Sequence, residues 1–461
     1  MTDDHTIAIV GGGLAGAQAA EGARAAGHEG RLVLIGAEPE LPYERPPLSK
    51  AVLRGDAGAA STRVHDPGFY AEHDIELLTG RTVAALDPNG RRLRFDDGES
   101  LPYRRVILAT GAEPRRLDVE GATLDGVHHL RTLDDARRLG EALTSAARVA
   151  VVGAGWIGSE VAASARQLGP EVVLIDPGPA PLARVLGDRV SAVFSSLHAD
   201  HGVRLRMQTS VVGLRGTNRV ESVVLADGSE EPADVVVVGV GVLPRVDLAV
   251  AAGLPVDNGI VVDELLESPV PGVFAAGDVA AAWHPQYRRH LRVEHWANAL
   301  NQGTTAGRNA AGEQERYHRL PYFFSDQYDL GLEYVGHAAP GDAVVVHGDL
   351  ASREFLAFWQ HDGIVTAAMA VNVWGVIEDL KTIVGGPTHR PRQQPRWSLH
   401  LAAHQLLLDR LLGHLILVSR RGPAPAAGGV REPPEPVEDP GGLETAGTVP
   451  RVELQRLRLL V

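Results

Sequence analysis

Apolar positions along the chain form short continuous runs separated by polar, glycine-rich turns. Residues 6–10 and residues 148–152 are two such runs, and each leads directly into a glycine-rich turn and a helix-like segment. A short apolar run that ends in a glycine-rich turn is typical of a buried parallel strand passing into a helix. The pattern therefore predicts two separate strand–turn–helix units.

Both units continue with the same order of elements. Each has a second strand followed by an acidic residue, then a hairpin turn with the sequence Asp-Gly, then another buried strand. These segments are 31–35, 97–98 and 105–111 in the first copy and 172–175, 227–228 and 234–239 in the second. Strands that alternate with helical segments indicate parallel sheets covered by helices. We expect an α/β protein with two Rossmann-like domains.

The pattern changes after residue 320. Strands are predicted at 343–346, 354–359 and 364–368, followed by a short helix through Ile377 and Leu380, which indicates a small α+β domain. The apolar run 272–276 has no place in the second repeat, so we expect it to return to the first unit. The predicted domains are 1–112 with 245–320 for the first unit, 113–244 for the second unit, 321–386 for the α+β domain and 387–461 for an atypical, partly disordered tail.

Composition narrows the possible functions. The 461 residues suffice for several domains, and a formal net charge of −14 argues against nucleic acid or an anionic membrane as the main partner. The first residues lack the basic and apolar regions of an export signal, so we expect a cytoplasmic protein. The chain contains no cysteine, which excludes a redox disulfide, a thiolate metal site and a cysteine nucleophile.

Two glycine fingerprints carry the strongest chemical signal. They are Gly11-x-Gly13-x-x-Gly16 and Gly153-x-Gly155-x-x-Gly158. The first glycine allows a tight turn, the second lets the backbone approach a pyrophosphate, and the third lets the helix pack against the strand. Chance spacing among 52 glycines is the alternative, but two matches in the strand–turn–helix context favour two bound dinucleotides.

Several further segments carry a resemblance to a known family. They are Pro-Tyr-Glu-Arg-Pro-Pro-Leu-Ser-Lys at 42–50, Ala-Thr-Gly at 109–111, Gly-Asp at 277–278, Glu-His-Trp at 294–296 and Ser-Asp-Gln-Tyr-Asp at 325–329. Together they closely resemble FAD-dependent NADH:ferredoxin reductases of the putidaredoxin-reductase and biphenyl-dioxygenase-reductase type. The first of these segments is far more specific than either glycine fingerprint.

The resemblance implies an FAD site. The residues that it assigns to FAD are Gly11, Gly13, Gly16, Glu38, Arg45, Lys50, Val83, Thr110, Gly111, Asp278 and Trp296. Glu38 would accept hydrogen bonds from the adenosine ribose, and Val83 would contact adenine through its backbone. Plain structural roles remain open: a strand end for Glu38, a helix cap for Asp278, a surface pair for Arg45 and Lys50, and a core aromatic for Trp296.

The same resemblance implies an NAD site in the second unit. The residues that it assigns to NAD are Gly153, Gly155, Gly158, Glu160 and Asp176. A carboxylate at Asp176 would repel a 2′-phosphate, so NADH is expected to be preferred over NADPH. The family more often has Glu there, and the shorter Asp176 and the nearby Arg184 would weaken the preference.

Lys50 and Glu160 are the predicted catalytic pair. By the resemblance, Glu160 approaches the nicotinamide carboxamide and pairs with Lys50, whereas an exposed helical Glu is the plain alternative. Hydride transfer from nicotinamide to flavin depends mainly on alignment and stacking, so no Ser/His/Asp arrangement is required. A positive charge at Lys50 would also favour the anionic reduced flavin.

The resemblance also implies the electron acceptor, an iron–sulfur ferredoxin of the [2Fe–2S] type that serves a cytochrome P450 or a ring-hydroxylating oxygenase. Arg288, Arg289 and Arg292 could dock an acidic ferredoxin, although a solvated basic loop is the plain alternative. An NADH-sensing flavoprotein of the apoptosis-inducing-factor type and a direct oxidase or diaphorase remain alternatives. We expect a monomer or weak dimer with no metal site of its own.

The composition changes again after Gly-Gly-Pro at 385–387. A Leu-rich stretch at 399–418 contains His404 and Asp409, which favours an amphipathic helix over a membrane span, and a Pro/Glu segment follows. The family normally continues only briefly here. A reading-frame shift near Val384 and an added functional module both account for this composition.

Overall fold

The computed structural model describes residues 5–387. The expectations for a Leu-rich helix at 399–418 and for the tail, apart from Pro387, lie outside the described residues. None of the helices between residues 5 and 387 combines the length and apolar character that a bilayer crossing requires. In the same range, no group of His, Asp and Glu residues is arranged to hold a metal ion.

The first unit is built on a five-stranded parallel sheet. Its elements up to residue 108 are β1 (Ile7–Val10), α1 (Leu14–Ala25), β2 (Leu32–Ile35), α2 (Ala51–Arg54), α3 (Phe69–Glu72), β3 (Ile75–Leu78), β4 (Val83–Asp87), β5 (Arg92–Phe95), β6 (Ser100–Pro102) and β7 (Arg105–Leu108). Strands β4, β5 and β6 form a separate antiparallel sheet. The expected Asp-Gly turn lies between β5 and β6, and Gly98 adopts a φ of +88° there.

The second unit repeats this architecture. Its elements are β8 (Ala112–Pro114), β9 (Val127–His128), α4 (Leu133–Ser145), β10 (Arg148–Val152), α5 (Trp156–Leu168), β11 (Glu171–Asp176), α6 (Ala183–Asp200), β12 (Arg204–Met207), β13 (Val211–Arg215), β14 (Ser222–Leu225), β15 (Glu230–Pro232), β16 (Val235–Val238) and β17 (Val242–Pro244). The parallel sheet has the order β12-β11-β10-β16-β9. Strands β8 and β17 pair with each other where the chain passes between the two units.

The chain then returns to the first unit. The next elements are α7 (Asp247–Ala251), β18 (Ile260–Val262), β19 (Val273–Ala275), β20 (Ala280–His284), β21 (Arg289–Arg292) and α8 (Trp296–Ala311). Strand β19 pairs in parallel with β7, which completes the sheet order β19-β7-β1-β2-β3. This confirms the expected return of the 272–276 run, and α8 packs on α1 through Gly303 and Gly307, where a Cβ atom would meet helix backbone.

The last described unit is an antiparallel sheet with one helix. Its elements are β22 (Tyr322–Gln327), β23 (Leu330–Gly336), β24 (Ala343–Asp349), β25 (Glu354–His361), β26 (Ile364–Val371) and α9 (Ile377–Ile383). The sheet order is β22-β23-β26-β25-β24. One face packs against α6 around Phe194, and the other is covered by α9 around Leu380. The sheet therefore lies directly against the second unit.

Candidate functional site

One cavity of about 510 Å³ lies where all three units meet. The first unit contributes Arg45, Lys50 and Asp278 to its lining, the second contributes Glu160, and the last contributes Ser325. Predicted site residues that line this cavity are Gly13, Arg45, Lys50, Gly111, Glu160, Asp278 and Trp296. The sequence segments that carry the resemblance, distant along the chain, are thus brought to one place.

The first glycine turn shapes one end of the cavity. Gly11 has a φ of +130°, and a Cβ atom there would lie 2.1 Å from the carbonyl oxygen of Ala109. A Cβ atom on Gly16 would lie 1.9 Å from the carbonyl oxygen of Gly11. Helix α1 begins immediately after Gly13, which caps it without a side-chain hydrogen bond. Its first backbone N–H groups are therefore available to an anion.

Two arginines line the cavity together with this helix start. Arg45 Nη1 lies 3.0 Å from where a Cβ atom of Gly13 would be, and Arg45 Nε donates to the carbonyl oxygen of Arg131 at 3.2 Å. Burial lowers the pKa of Arg45, and the charge of Arg131 lowers it further. A pyrophosphate between the helix start and these guanidinium groups would relieve their repulsion, so the residues fit the pyrophosphate of FAD.

The predicted ribose ligand, Glu38, lies beyond the carboxyl end of β2. Its carboxylate accepts hydrogen bonds from the Tyr43 hydroxyl and, at 3.2 Å, from Arg45 Nη2. About a third of the Glu38 side chain is exposed, so its remaining acceptor positions face solvent. This geometry suits a ligand with vicinal hydroxyl groups.

The other predicted FAD residues occupy several positions around the first sheet. Asp278 Oδ2 pairs with Arg131 Nη2 at 2.7 Å, and Thr110 Oγ1 donates to the carbonyl oxygen of Arg245 at 2.8 Å. Val83 lies on β4 and is buried. Trp296 opens α8, next to His295, whose pKa is lowered by burial to about 4. His295 is therefore neutral at physiological pH.

The second glycine turn excludes side chains at its first and third glycines, as the first turn does, but leaves open space at its middle glycine. A Cβ atom on Gly153 would lie 2.4 Å from the carbonyl oxygen of Gly239, and one on Gly158 would lie 1.8 Å from the carbonyl oxygen of Gly153. At Gly155, by contrast, a Cβ atom would meet nothing within 4 Å. Gly155 caps α5 without a side-chain hydrogen bond, so this end also fits a pyrophosphate.

Asp176 ends β11 beside this turn. Its Oδ2 accepts a hydrogen bond from the backbone N–H of Ala154 at 2.7 Å, and its Oδ1 accepts one from Gly178 at 2.7 Å. The carboxylate is thus held by two backbone amides. It supports the turn directly and keeps a negative charge at the position predicted to face the ribose of NADH. Arg184 lines the cavity between the units.

Lys50 and Glu160 form the most buried ion pair of the cavity. Lys50 Nζ lies 2.8 Å from Glu160 Oε2, and the two side chains are 11% and 6% exposed. The alternative interpretation, that Glu160 is an exposed residue on a helix, is therefore wrong. Ser49 and Ser325 also donate to this carboxylate, and neither serine was singled out from the sequence as a site residue.

The structure changes the expected role of Arg292. Its Nη1 pairs with Glu294 at 2.6 Å and donates to the carbonyl oxygen of Asp278 at 3.3 Å, and its side chain is 10% exposed. Arg292 is therefore part of the cavity wall and cannot present its charge to a protein partner. Arg288 and Arg289 are exposed.

Comparisons with known proteins agree with this geometry. Residues 5–303 match the family model described as pyridine nucleotide-disulphide oxidoreductase, and residues 322–392 match the one described as reductase C-terminal. The ferredoxin–NAD(+) reductase component of the anthranilate 1,2-dioxygenase system of Burkholderia cepacia is 43% identical over 369 residues. That alignment covers 79% of this chain and 90% of the relative.

Two solved structures are similar over most of the chain. The ferredoxin reductase for the CYP199A2 system from Rhodopseudomonas palustris is 39% identical with a TM-score of 0.78, covering 80% of this chain and 91% of that one. The reductase in the covalent putidaredoxin reductase–putidaredoxin complex is 35% identical with a TM-score of 0.83, covering 91% of this chain and 100% of that one.

Proposed function

The chain belongs to the pyridine nucleotide-disulphide oxidoreductase family, among its ferredoxin–NAD(+) reductases, and we propose that it transfers electrons from NADH through FAD to a ferredoxin. The observation that carries this proposal is the single cavity that joins two glycine-capped helix starts, those of α1 and α5, with the Lys50–Glu160 pair. Relatives that serve a dioxygenase system and a CYP199A2 system support a ferredoxin as acceptor. The ferredoxin would in turn supply a ring-hydroxylating oxygenase or a cytochrome P450.

Each part of the cavity has a distinct task in this proposal. FAD, when bound, accepts a hydride from the nicotinamide and releases electrons one at a time. The first glycine turn with Arg45, Arg131 and Asp278 holds FAD, and Glu38 binds its ribose. The second glycine turn with Asp176 holds NADH. Lys50 and Glu160 lie between these sites and align the nicotinamide, which is the main contribution that hydride transfer requires of a protein.

The acceptor is tested by anaerobic reduction of a [2Fe–2S] ferredoxin with NADH and catalytic amounts of the protein. We expect the ferredoxin to be reduced at a rate comparable to that of an artificial dye. Dye reduction without ferredoxin reduction would favour a diaphorase. If NADH reduced the FAD but neither the ferredoxin nor the dye was then reduced, the result would favour an NADH sensor. We place the reaction in the cytoplasm, where NADH is supplied.

Asp176 is proposed to select NADH over NADPH. We expect Asp176→Asn to lower the ratio of kcat/KM for NADH to that for NADPH about tenfold, because the charge that repels a 2′-phosphate is removed. This corresponds to about 1.4 kcal/mol of discrimination. Asp176→Glu introduces the residue that is more common in the family and should raise the ratio of kcat/KM for NADH to that for NADPH. Steady-state kinetics with both nucleotides measure it, and an unchanged ratio in Asp176→Asn would contradict the assignment.

Arg288 and Arg289 are proposed to dock the ferredoxin. Arg289 begins strand β21, and Arg292 at the other end of that strand lines the cavity. We expect Arg288→Glu/Arg289→Glu to raise the KM for ferredoxin at least tenfold at low salt and to reduce its salt dependence. The rate of FAD reduction by NADH serves as the internal control.

A charge-matched control separates docking from net charge. Arg92→Glu/Arg94→Glu makes the same change in net charge on β5, outside the cavity lining. If this control raised the KM for ferredoxin as much, the effect would come from the overall charge and docking at Arg288 and Arg289 would be refuted.

A further inference from the structure

All three units meet at one carboxylate, that of Glu160. Glu160 belongs to α5 in the second unit, Ser49 and Lys50 follow one another in the first, and Ser325 lies on β22 in the last. Ser49 and Ser325 are each 1% exposed, and Glu160 is 5% exposed. The contacts are therefore made away from solvent.

Both oxygen atoms of Glu160 have donors. Oε2 pairs with Lys50 Nζ at 2.8 Å and accepts a hydrogen bond from the Ser49 hydroxyl. Oε1 accepts a hydrogen bond from Ser325 Oγ at 2.6 Å. Because each oxygen is held from a different unit, the carboxylate cannot rotate without losing a buried hydrogen bond, which costs about 1–3 kcal/mol.

The two serines are themselves held in place. The carbonyl oxygen of Ser49 accepts a hydrogen bond from Ser164 Oγ at 2.6 Å, and Gln327 Nε2 donates to Ser325 Oγ at 3.5 Å. Gln327 is 1% exposed. A serine on a buried strand face is otherwise unfavourable unless its hydroxyl has a partner. The Ser325 hydroxyl on the inward face of β22 therefore serves the carboxylate, and Gln327 supports that hydroxyl.

We propose that Ser49 and Ser325 are positioning residues that fix the Glu160 carboxylate beside Lys50 for the reduction of FAD by NADH. This inference rests on the proposed function. Ser325 also links the geometry of the cavity to the docking of the last unit, because its hydroxyl is hydrogen-bonded to Glu160. The serines touch neither cofactor in this proposal and act only through Glu160.

The experiment compares Ser325→Ala, Ser49→Ala and Ser325→Thr in the FAD-loaded full chain. We expect each alanine variant to lower the limiting rate of FAD reduction by NADH about tenfold and to change the apparent Kd for NADH less than twofold. Ser325→Thr keeps the hydroxyl and should return the rate to within about threefold of the wild type. Ser191→Ala, which removes an equally buried hydroxyl that bonds only within α6, is the control.

An equilibrium titration of the bound FAD with dithionite gives a second readout that does not use NADH. A carboxylate that moves away from Lys50 leaves its positive charge less compensated, so the FAD midpoint potential should become more positive in both alanine variants. FAD content and the thermal midpoint report folding. Unchanged rate and potential in Ser325→Ala and Ser49→Ala, or equal changes in Ser191→Ala, would overturn the positioning role.

Failure of the proposed function would appear differently. If NADH did not reduce the FAD of the wild type, the proposed function would be refuted. The dithionite titration would then still decide the positioning role, since a potential shift in the serine variants supports it and an unshifted potential overturns it.

Discussion

Lys50→Met and Glu160→Gln should each abolish rapid reduction of FAD by NADH, with the limiting rate at least a hundredfold lower than in the wild type. Each change removes one member of an ion pair whose side chains are 11% and 6% exposed. Breaking a buried pair by removing one partner costs about 3–5 kcal/mol, because the other charge is left uncompensated. We therefore also expect each single variant to unfold more easily.

The double variant Lys50→Met/Glu160→Gln separates stability from function. It leaves neither charge of the pair behind without its partner, so its free energy of unfolding should return to within about 2 kcal/mol of the wild type. The rate of FAD reduction should stay low, because the groups that align the nicotinamide are gone. Denaturant unfolding and stopped-flow reduction measure the two properties on the same preparations.

An exposed ion pair provides the matched control. Arg31 Nε and Glu76 Oε2 lie 2.8 Å apart, with side chains that are 45% and 41% exposed. Glu76→Gln should change the free energy of unfolding by less than about 1 kcal/mol and leave the reduction rate unchanged. Recovery of the rate in the double variant would show that Lys50 and Glu160 only support the fold.

The second large effect concerns which glycine turn holds which cofactor. Gly16→Ala should yield a protein without FAD, because the new methyl group would lie 1.9 Å from the carbonyl oxygen of Gly11. Gly158→Ala makes the equivalent clash, at 1.8 Å from the carbonyl oxygen of Gly153. It should retain FAD yet lose reduction by NADH. Absorbance of the purified protein and stopped-flow reduction distinguish these results.

Gly155→Ala gives a finer test of the second turn. Nothing lies within 4 Å of the new methyl group, so the variant should fold and bind FAD normally. The methyl group would nevertheless occupy the approach of the NADH pyrophosphate, and we expect the apparent Kd for NADH to rise at least tenfold. Gly58→Ala, also with nothing within 4 Å, should behave as the wild type.

The opposite pattern would reverse the assignment of the two turns. If Gly158→Ala lost FAD and Gly16→Ala lost only its reaction with NADH, the first turn would hold the nicotinamide cofactor. Normal affinity for NADH in Gly155→Ala would mean that the pyrophosphate does not approach this backbone.

The parts of the fold predicted from the sequence depend on local patterns. Continuous apolar runs before the two glycine turns gave β1 and β10, and the Asp-Gly turn at 227–228 separates β14 from β15. The three strands expected between 343 and 368 are β24, β25 and β26, each somewhat longer than predicted. Local patterns suffice there because β1, β10, β25 and β26 are largely buried apolar runs, and β24 contains three consecutive valines, which favour a strand.

Strands β22 and β23 were not predicted: the inward face of β22 is partly polar, and β23 is buried along its whole length despite Gly331 and Glu333. Ser325 and Gln327 point into the protein from β22, so the alternation of apolar and polar residues that marks a strand is lost. The two strands are joined by a tight turn at Tyr328, with a φ of +55°, and Asp329. Ser325 is hydrogen-bonded to Glu160 and Gln327 to Ser325, and local sequence cannot indicate the contact with Glu160.

The contacts between distant segments explain the remaining differences. Arg131 pairs with Asp278, 147 positions away, and the sequence offers no signal for that pair. Arg292 is one of three nearby arginines in the sequence, yet the strand β21 directs its side chain to Glu294 and the cavity. The family resemblance identified Lys50 and Glu160 as a pair, whereas the serines that hold the pair required the structure.

The central claim is tested most directly by double-mixing stopped-flow with the FAD-loaded protein. The first mix adds NADH or, separately, NADPH, and the second adds an oxidised [2Fe–2S] ferredoxin in the absence of oxygen. We predict rapid bleaching of FAD by NADH, much slower bleaching by NADPH, and reduction of the ferredoxin as the FAD absorbance returns. FAD that stays reduced after ferredoxin is added, or that NADH fails to bleach, would contradict the account.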